Sequence, residues 1–171
     1  MVTDSRAVLP TREAVLAVLD TVMDPEVPVL TVRELGIVRD VDVDAHGAVT
    51  VVVTPTYSGC PAIQVIEQDI LGALHAAGIP DVRIQTVYSP PWTSDWIPEP
   101  ARAKLKAYGI APPTPAGPTD LVQLLRAPRT PQCPYCDSAD TEVRSEFGST
   151  ACKSICWCRS CGQPFEEFKG I

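Results

Sequence analysis

The chain has 171 residues, 45% of them hydrophobic, with a formal net charge of -7. That length holds one cored domain plus a smaller module, and the negative balance disfavours nonspecific attraction to nucleic acid or anionic lipid. The opening "MVTDSRAVLP" lacks a basic start followed by a long apolar run, so no export signal or membrane span is expected and a cytoplasmic location follows. Seven cysteines in that setting point to metal or redox thiolates ahead of disulfides.

In chain order, "TREAVLAVLDTVM" places Val15, Leu16, Leu19, Val22 and Met23 at spacings of three and four, the stripe of a helix capped by Thr11. Asp24 precedes Pro25, and a residue before proline is pushed out of the helical region. Two strands, 37–43 and 49–54, then form a hairpin turning at Ala45, His46 and Gly47. "PAIQVIEQDILGALHAAG" lines up Ile63, Ile66, Ile70, Leu74 and Ala77, with Pro61 at the first helical position and Gly78 closing the helix. "DVRIQTVYS" is a third strand with Val82, Ile84, Thr86 and Tyr88 on one face. The expected fold class is α+β, a small mixed three-stranded sheet packed with helices over residues 1–110.

"PPWTSDWIPEP" reads as a proline-stiffened loop whose Trp92 and Trp96 cover the sheet, and a short helix near 101–108 ends at Gly109. A proline-dense linker, 111–127, then acts as a semi-rigid strut between two bodies. Residues 128–171 hold six of the seven cysteines. Cys133-x-x-Cys136 and Cys158-x-x-Cys161 have the spacing of a four-thiolate zinc ribbon, with rubredoxin-like iron and disulfides as the weaker readings. Asp137 and Gly162, just after each pair, suit the left-handed turn that brings two sulfurs together. With Val143, Phe147, Ile155, Phe165 and Phe168 as its core candidates, such a module depends on metal for folding, and four thiolates leave no open position for catalysis. Cys156 reads as a buried or spare thiol, because Cys156-x-Cys158 makes a poor chelate turn. Cys152, beside Lys153, is an additional candidate thiol. From residue 131 onward four basic residues face six acidic ones, the wrong sign for gripping phosphates.

The isolated Cys60, in "TPTYSGCPA", raises a separate question. With Pro61 opening the helix, Cys60 falls at the N-cap, where free N–H groups and the helix dipole favour a thiolate. Hydroxyls of Thr54, Thr56, Tyr57 and Ser58 line its approach, while burial is the ordinary fate of a free cysteine.

"DPEVPVLTVRELGIVRDV", "TPTYSGCPA" and "YSPPWTSDWI" resemble the small iron-sulfur-assembly domain family that includes the SufT-like proteins, over residues 11 to 108. With "CPYCDSADTEVRSEFGSTACKSICWCRSCGQPFEEFK" added, the whole chain resembles the PaaD-type (PaaJ-type) accessory subunits of phenylacetyl-CoA epoxidase. The resemblance implies that Asp24, Pro25 and Glu26 form the family's acidic motif and that Cys60 is its reactive cysteine. It further implies a role in delivering iron-sulfur clusters to the epoxidase system, first of all to its ferredoxin-type reductase. No enzyme is expected. The chain lacks Glu-x-x-His pairs for a di-iron centre, a G-x-G-x-x-G fingerprint and a ferredoxin cysteine run, and His46 and His75 read as solvated surface residues. The alternative is a non-catalytic structural adaptor of the epoxidase complex. Because one cysteine cannot hold a cluster, a homodimer or the client supplies the remaining ligands of any transient iron-sulfur cluster.

Overall fold

A computed structural model describes residues 9–57, 59–113 and 130–170, so Ser58 and most of the expected linker lie outside the described residues. Helix α1, Arg12–Leu19, is capped by Thr11, whose hydroxyl accepts the Ala14 N–H at 3.2 Å. It buries Val15 and Leu19 and stops earlier than the apolar stripe suggests, at Asp20. Val22 is buried from the following turn, whereas Met23 faces outward and bridges to Thr31. The chain then folds back so that Val27, Leu30, Val32 and Leu35 all enter the core.

Strands β1, Val38–Val43, and β2, Val49–Val53, form the expected hairpin. Helix α2, Ile63–Ala76, turns Ile66, Ile70 and Leu74 inward and carries the chain to β3, Val82–Thr86, which lies parallel to β2. The sheet is mixed and three-stranded, in the order β1-β2-β3, as the sequence implies. Tyr88 is an exception: β3 ends before it, and it lies exposed beyond the strand. Trp92 is buried in the core and donates from Nε1 to the Leu35 carbonyl at 2.8 Å. Trp96 is partly buried, with the Arg39 guanidinium 3.4 Å from its ring centre.

Helix α3, Glu99–Tyr108, ends at Gly109, which adopts the left-handed region (φ 92°) and redirects the chain into β4, Ile110–Ala111. Those two residues belong to the C-terminal sheet. They pair in parallel with β7, Pro164–Phe168, in a four-stranded sheet of order β4-β7-β6-β5 that includes β5, Thr141–Ser145, and β6, Lys153–Cys158. From residue 114 on, the expected strut lies outside the described residues, but the two bodies it joins are packed against each other. Phe168 and Cys152 sit in the same buried cluster as α1, α2 and β2, and the Phe168 ring lies 6.0 Å from that of Trp92. The ribbon's own cluster is small: Ala111, Cys133, Cys156, Cys158 and Phe165, with Val143 against it. Phe147 and Ile155, expected inside, are 68% and 40% exposed, because the apolar faces turned toward the rest of the chain are those of Cys152 and Phe168 instead.

Candidate metal centre and thiol site

The two cysteine knuckles are built alike. In the first, the Cys133 N–H donates to the Ser138 carbonyl and the Asp137 N–H returns to the Cys133 carbonyl; in the second, Cys158 pairs with Gln163 and Gly162 with Cys158. Each repeat needs a left-handed residue at the same point, and Asp137 (φ 60°) and Gly162 (φ 68°) supply it. The Ser138 and Ser160 hydroxyls, 2.7 Å apart, tie the knuckles together. All four sulfurs of Cys133, Cys136, Cys158 and Cys161 lie within 4.8 Å of one another, with Cys133 to Cys161 at 3.7 Å and Cys136 to Cys158 at 3.6 Å. A tetrahedral ion with metal–sulfur bonds of about 2.3 Å spaces its sulfurs about 3.8 Å apart, so this set is suited to one ion. The Cys161 N–H, with the neighbouring thiols, holds the Cys158 pKa down to about 7. Cys156 is fully buried on β6 outside the set, with its sulfur 3.7 Å from Ser154 Oγ.

Cys60 does not occupy the N-cap. Helix α2 starts at Ile63 behind a turn, its N-cap is Ala62, and Pro61 precedes the helix. The Cys60 N–H donates to the Tyr57 carbonyl at 3.1 Å, which folds the sulfur back against the core and leaves it half-buried. Burial raises its pKa. The Ala62 and Ile63 amides and the Thr56 hydroxyl pull the other way, the Glu26 carboxylate pushes up again, and the net direction is up. Where the N-cap position would favour a thiolate, the structure holds a partly sheltered thiol, because the nearby amides do not outweigh desolvation.

That shelter is a narrow cavity of about 10 Å³, room for roughly one water molecule, lined among others by Asp24, Glu26, Cys60, Ile66, Cys152 and Phe168. Asp24 is buried, which raises its pKa, and its Oδ1 accepts the N–H groups of Glu26 at 2.8 Å and Val27 at 2.7 Å. It organises the backbone that presents Glu26. Glu26, half-buried, accepts a hydrogen bond from the Cys152 thiol at 3.5 Å. The Cys152 pKa is pushed up to about 11, by burial first and by Glu26, against the pull of Thr150 and Lys153. Lys153, its neighbour in the chain, does favour the Cys152 thiolate, but burial and Glu26 outweigh it. Lys153 is itself 4% exposed and spends its charge elsewhere: Nζ meets Glu166 at 3.2 Å and donates to the Glu26 carbonyl at 3.2 Å. Sequence reasoning missed Lys153, and Glu166 behind it, as supports of the acidic motif, since the Lys153 contact with Glu26 spans 127 positions of chain. Thr54 is buried, Thr56 lines the cavity, and His46 and His75 are exposed.

Residues 12–87 match the family described as "Iron-sulfur cluster assembly protein", and residues 117–169 match the "PaaD zinc beta ribbon domain". A protein of Escherichia coli (strain K12), named as one component of a "Putative 1,2-phenylacetyl-CoA epoxidase", is 43% identical over 162 residues, covering 95% of this chain and 94% of that one. An "Fe-S protein maturation auxiliary factor" of Porphyromonas gingivalis is 39% identical over 98 residues, or 57% of this chain and 92% of its own. The crystal structure of a "Domain of Unknown Function DUF59" from Bacillus anthracis superposes with a TM-score of 0.51 at 27% identity, covering 55% of this chain and 90% of that one. With both family matches in tandem and one relative aligned nearly end to end, the chain belongs to the PaaD family, an iron-sulfur-assembly domain followed by a zinc ribbon.

Proposed function

We propose that the protein is a non-catalytic maturation factor for a multicomponent phenylacetyl-CoA epoxidase in aerobic phenylacetate degradation, acting in the cytoplasm on iron-sulfur cluster assembly in the ferredoxin-type reductase. The observation that carries this reading is the placement of Cys60, Glu26 and Asp24 around one cavity, inside the segment that matches the assembly family. The epoxidase connection rests on the full-length relative.

In this reading Cys60 ligates iron transiently, Glu26 offers a neighbouring oxygen, and Asp24 fixes the loop that holds Glu26. The ribbon carries structural zinc on Cys133, Cys136, Cys158 and Cys161, which gives the C-terminal sheet its folding energy and a docking face. A client cysteine, or Cys60 of a second copy, completes the coordination of a cluster.

The test is Cys60→Ala co-expressed with the reductase. Folding and zinc content are expected to stay unchanged while the iron and sulfide content of the reductase falls. Undiminished cluster content, together with stoichiometric co-purification with the oxygenase subunits, would instead support a structural adaptor.

A further inference from the structure

The ribbon does more than pack against the assembly domain: it delivers a second sulfur to the cavity of Cys60. Cys152 precedes β6 at the end of a tightly fixed turn. The Gly148 N–H donates to the Lys153 carbonyl at 2.8 Å, the Lys153 N–H to the Thr150 carbonyl at 3.1 Å, and the Lys169 N–H to the Cys152 carbonyl at 2.9 Å. The turn is close-packed at Gly148, where a Cβ would lie 2.7 Å from Glu166 Oε1 and 3.2 Å from the Lys153 carbonyl carbon. Cys152 is held in place, 5% exposed, with its thiol aimed at a carboxylate oxygen rather than buried among apolar groups alone.

We propose that Cys60, Cys152 and Glu26 form a composite site for a single thiophilic divalent cation, ferrous iron in the first instance, shared between the two halves of the chain. This rests on the maturation reading and names its cargo at that stage as one ion, before any cluster. Two observations argue for an ion. The donor set, two sulfurs and one carboxylate oxygen, suits a borderline-soft divalent metal. The cavity of about 10 Å³ between these donors is on the scale of one small occupant.

Among the described residues the ribbon sulfurs are the group already at coordination spacing, so here the donors must draw together. Glu26 is suited to that: its N–H is held by Asp24 and its carbonyl by Lys153, while its half-buried side chain can swing about a fixed backbone. Binding is exchange without redox change. Each thiol loses its proton to solvent as its sulfur–metal bond forms, and the ion sheds water in return.

The test uses the full chain with its ribbon loaded with zinc, titrated anaerobically with ferrous ion alone and no sulfide. One additional iron per chain is expected, and X-ray absorption should count two sulfurs among its nearest ligands. Loss of an outer-shell partner alone costs a metal site roughly 10- to 100-fold in affinity, so Cys152→Ser and Cys152→Ala should each weaken ferrous binding by at least about 100-fold. Zinc content and thermal melting verify that these variants fold. Wild-type affinity in either folded variant, a single sulfur ligand in the wild-type spectrum, or uptake of iron only in pairs with sulfide overturns the proposal. If Cys60→Ala abolishes client maturation while the Cys152 variants bind ferrous ion normally, the composite site falls and the maturation reading stands. The converse pattern removes the maturation role and leaves the site.

Discussion

Lys153 connects the ribbon to the acidic motif through the Glu166 carboxylate and the Glu26 carbonyl, and Glu166 in turn is held by the Ser149 N–H at 2.6 Å. Burial pushes the Glu166 carboxyl up, but Ser149 and Lys153 outweigh it, so its pKa lies below the ordinary 4.5. A carboxyl depressed on folding contributes stability that is present above its unfolded value and lost as pH falls through the folded one. Glu166→Gln is expected to lower the melting temperature at pH 7, with the gap to wild type closing as the pH is taken below 4.5. A gap independent of pH would mean that packing, and not charge, is at work. Single residues were legible in the sequence where their chemistry is local. Thr11 as a cap, and Asp137 and Gly162 as left-handed turns, follow from neighbours a few positions away. The state of Cys60 was not legible, because the cavity that raises its pKa is completed by Glu26 and Cys152, far along the chain on either side.

At the level of elements, the boundary between α3 and β4 matters most. Gly109 ends the helix with positive φ, and a Cβ there would meet the Tyr135 hydroxyl at 2.8 Å. Gly109→Ala is expected to cost about 1–2 kcal/mol from the left-handed backbone alone, with more from displacement of Tyr135, and denaturant unfolding would measure it. A loss well under 1 kcal/mol would show that the turn relaxes freely. Apolar periodicity and β-branched runs revealed the hairpin and the body of α2, though not where α2 begins, since those patterns are written within each element. The periodic stripe in α1 overran its true end because Val22 is buried from a turn, a position that satisfies the same spacing without helical backbone. The pairing of β4 with β7 escaped the sequence entirely: two residues carry no pattern, and their partners lie more than fifty positions away.

For the whole molecule, the continuous cluster from Val15 to Phe168 means that ribbon and assembly domain share stability. Removing a buried phenylalanine side chain costs about 3–5 kcal/mol, so Phe168→Ala is expected to destabilise the N-terminal core as well as β7. Stripping the ribbon metal with a chelator should likewise increase hydrogen exchange in β2 and α2, although neither carries any of the four cysteines. Unchanged protection there would show that the halves melt independently. The two-part composition was readable because cysteine spacing and proline content mark it; the coupling was not, because it resides in contacts between distant segments.

Engineers who transplant a zinc module usually cut at the low-complexity tether. Here such a cut would leave Ile110 and Ala111 behind with the donor and strip β7 of its outer neighbour, giving the graft a raw, sticky margin. A transferable piece has to begin upstream of the prolines, at the glycine that turns the chain out of α3.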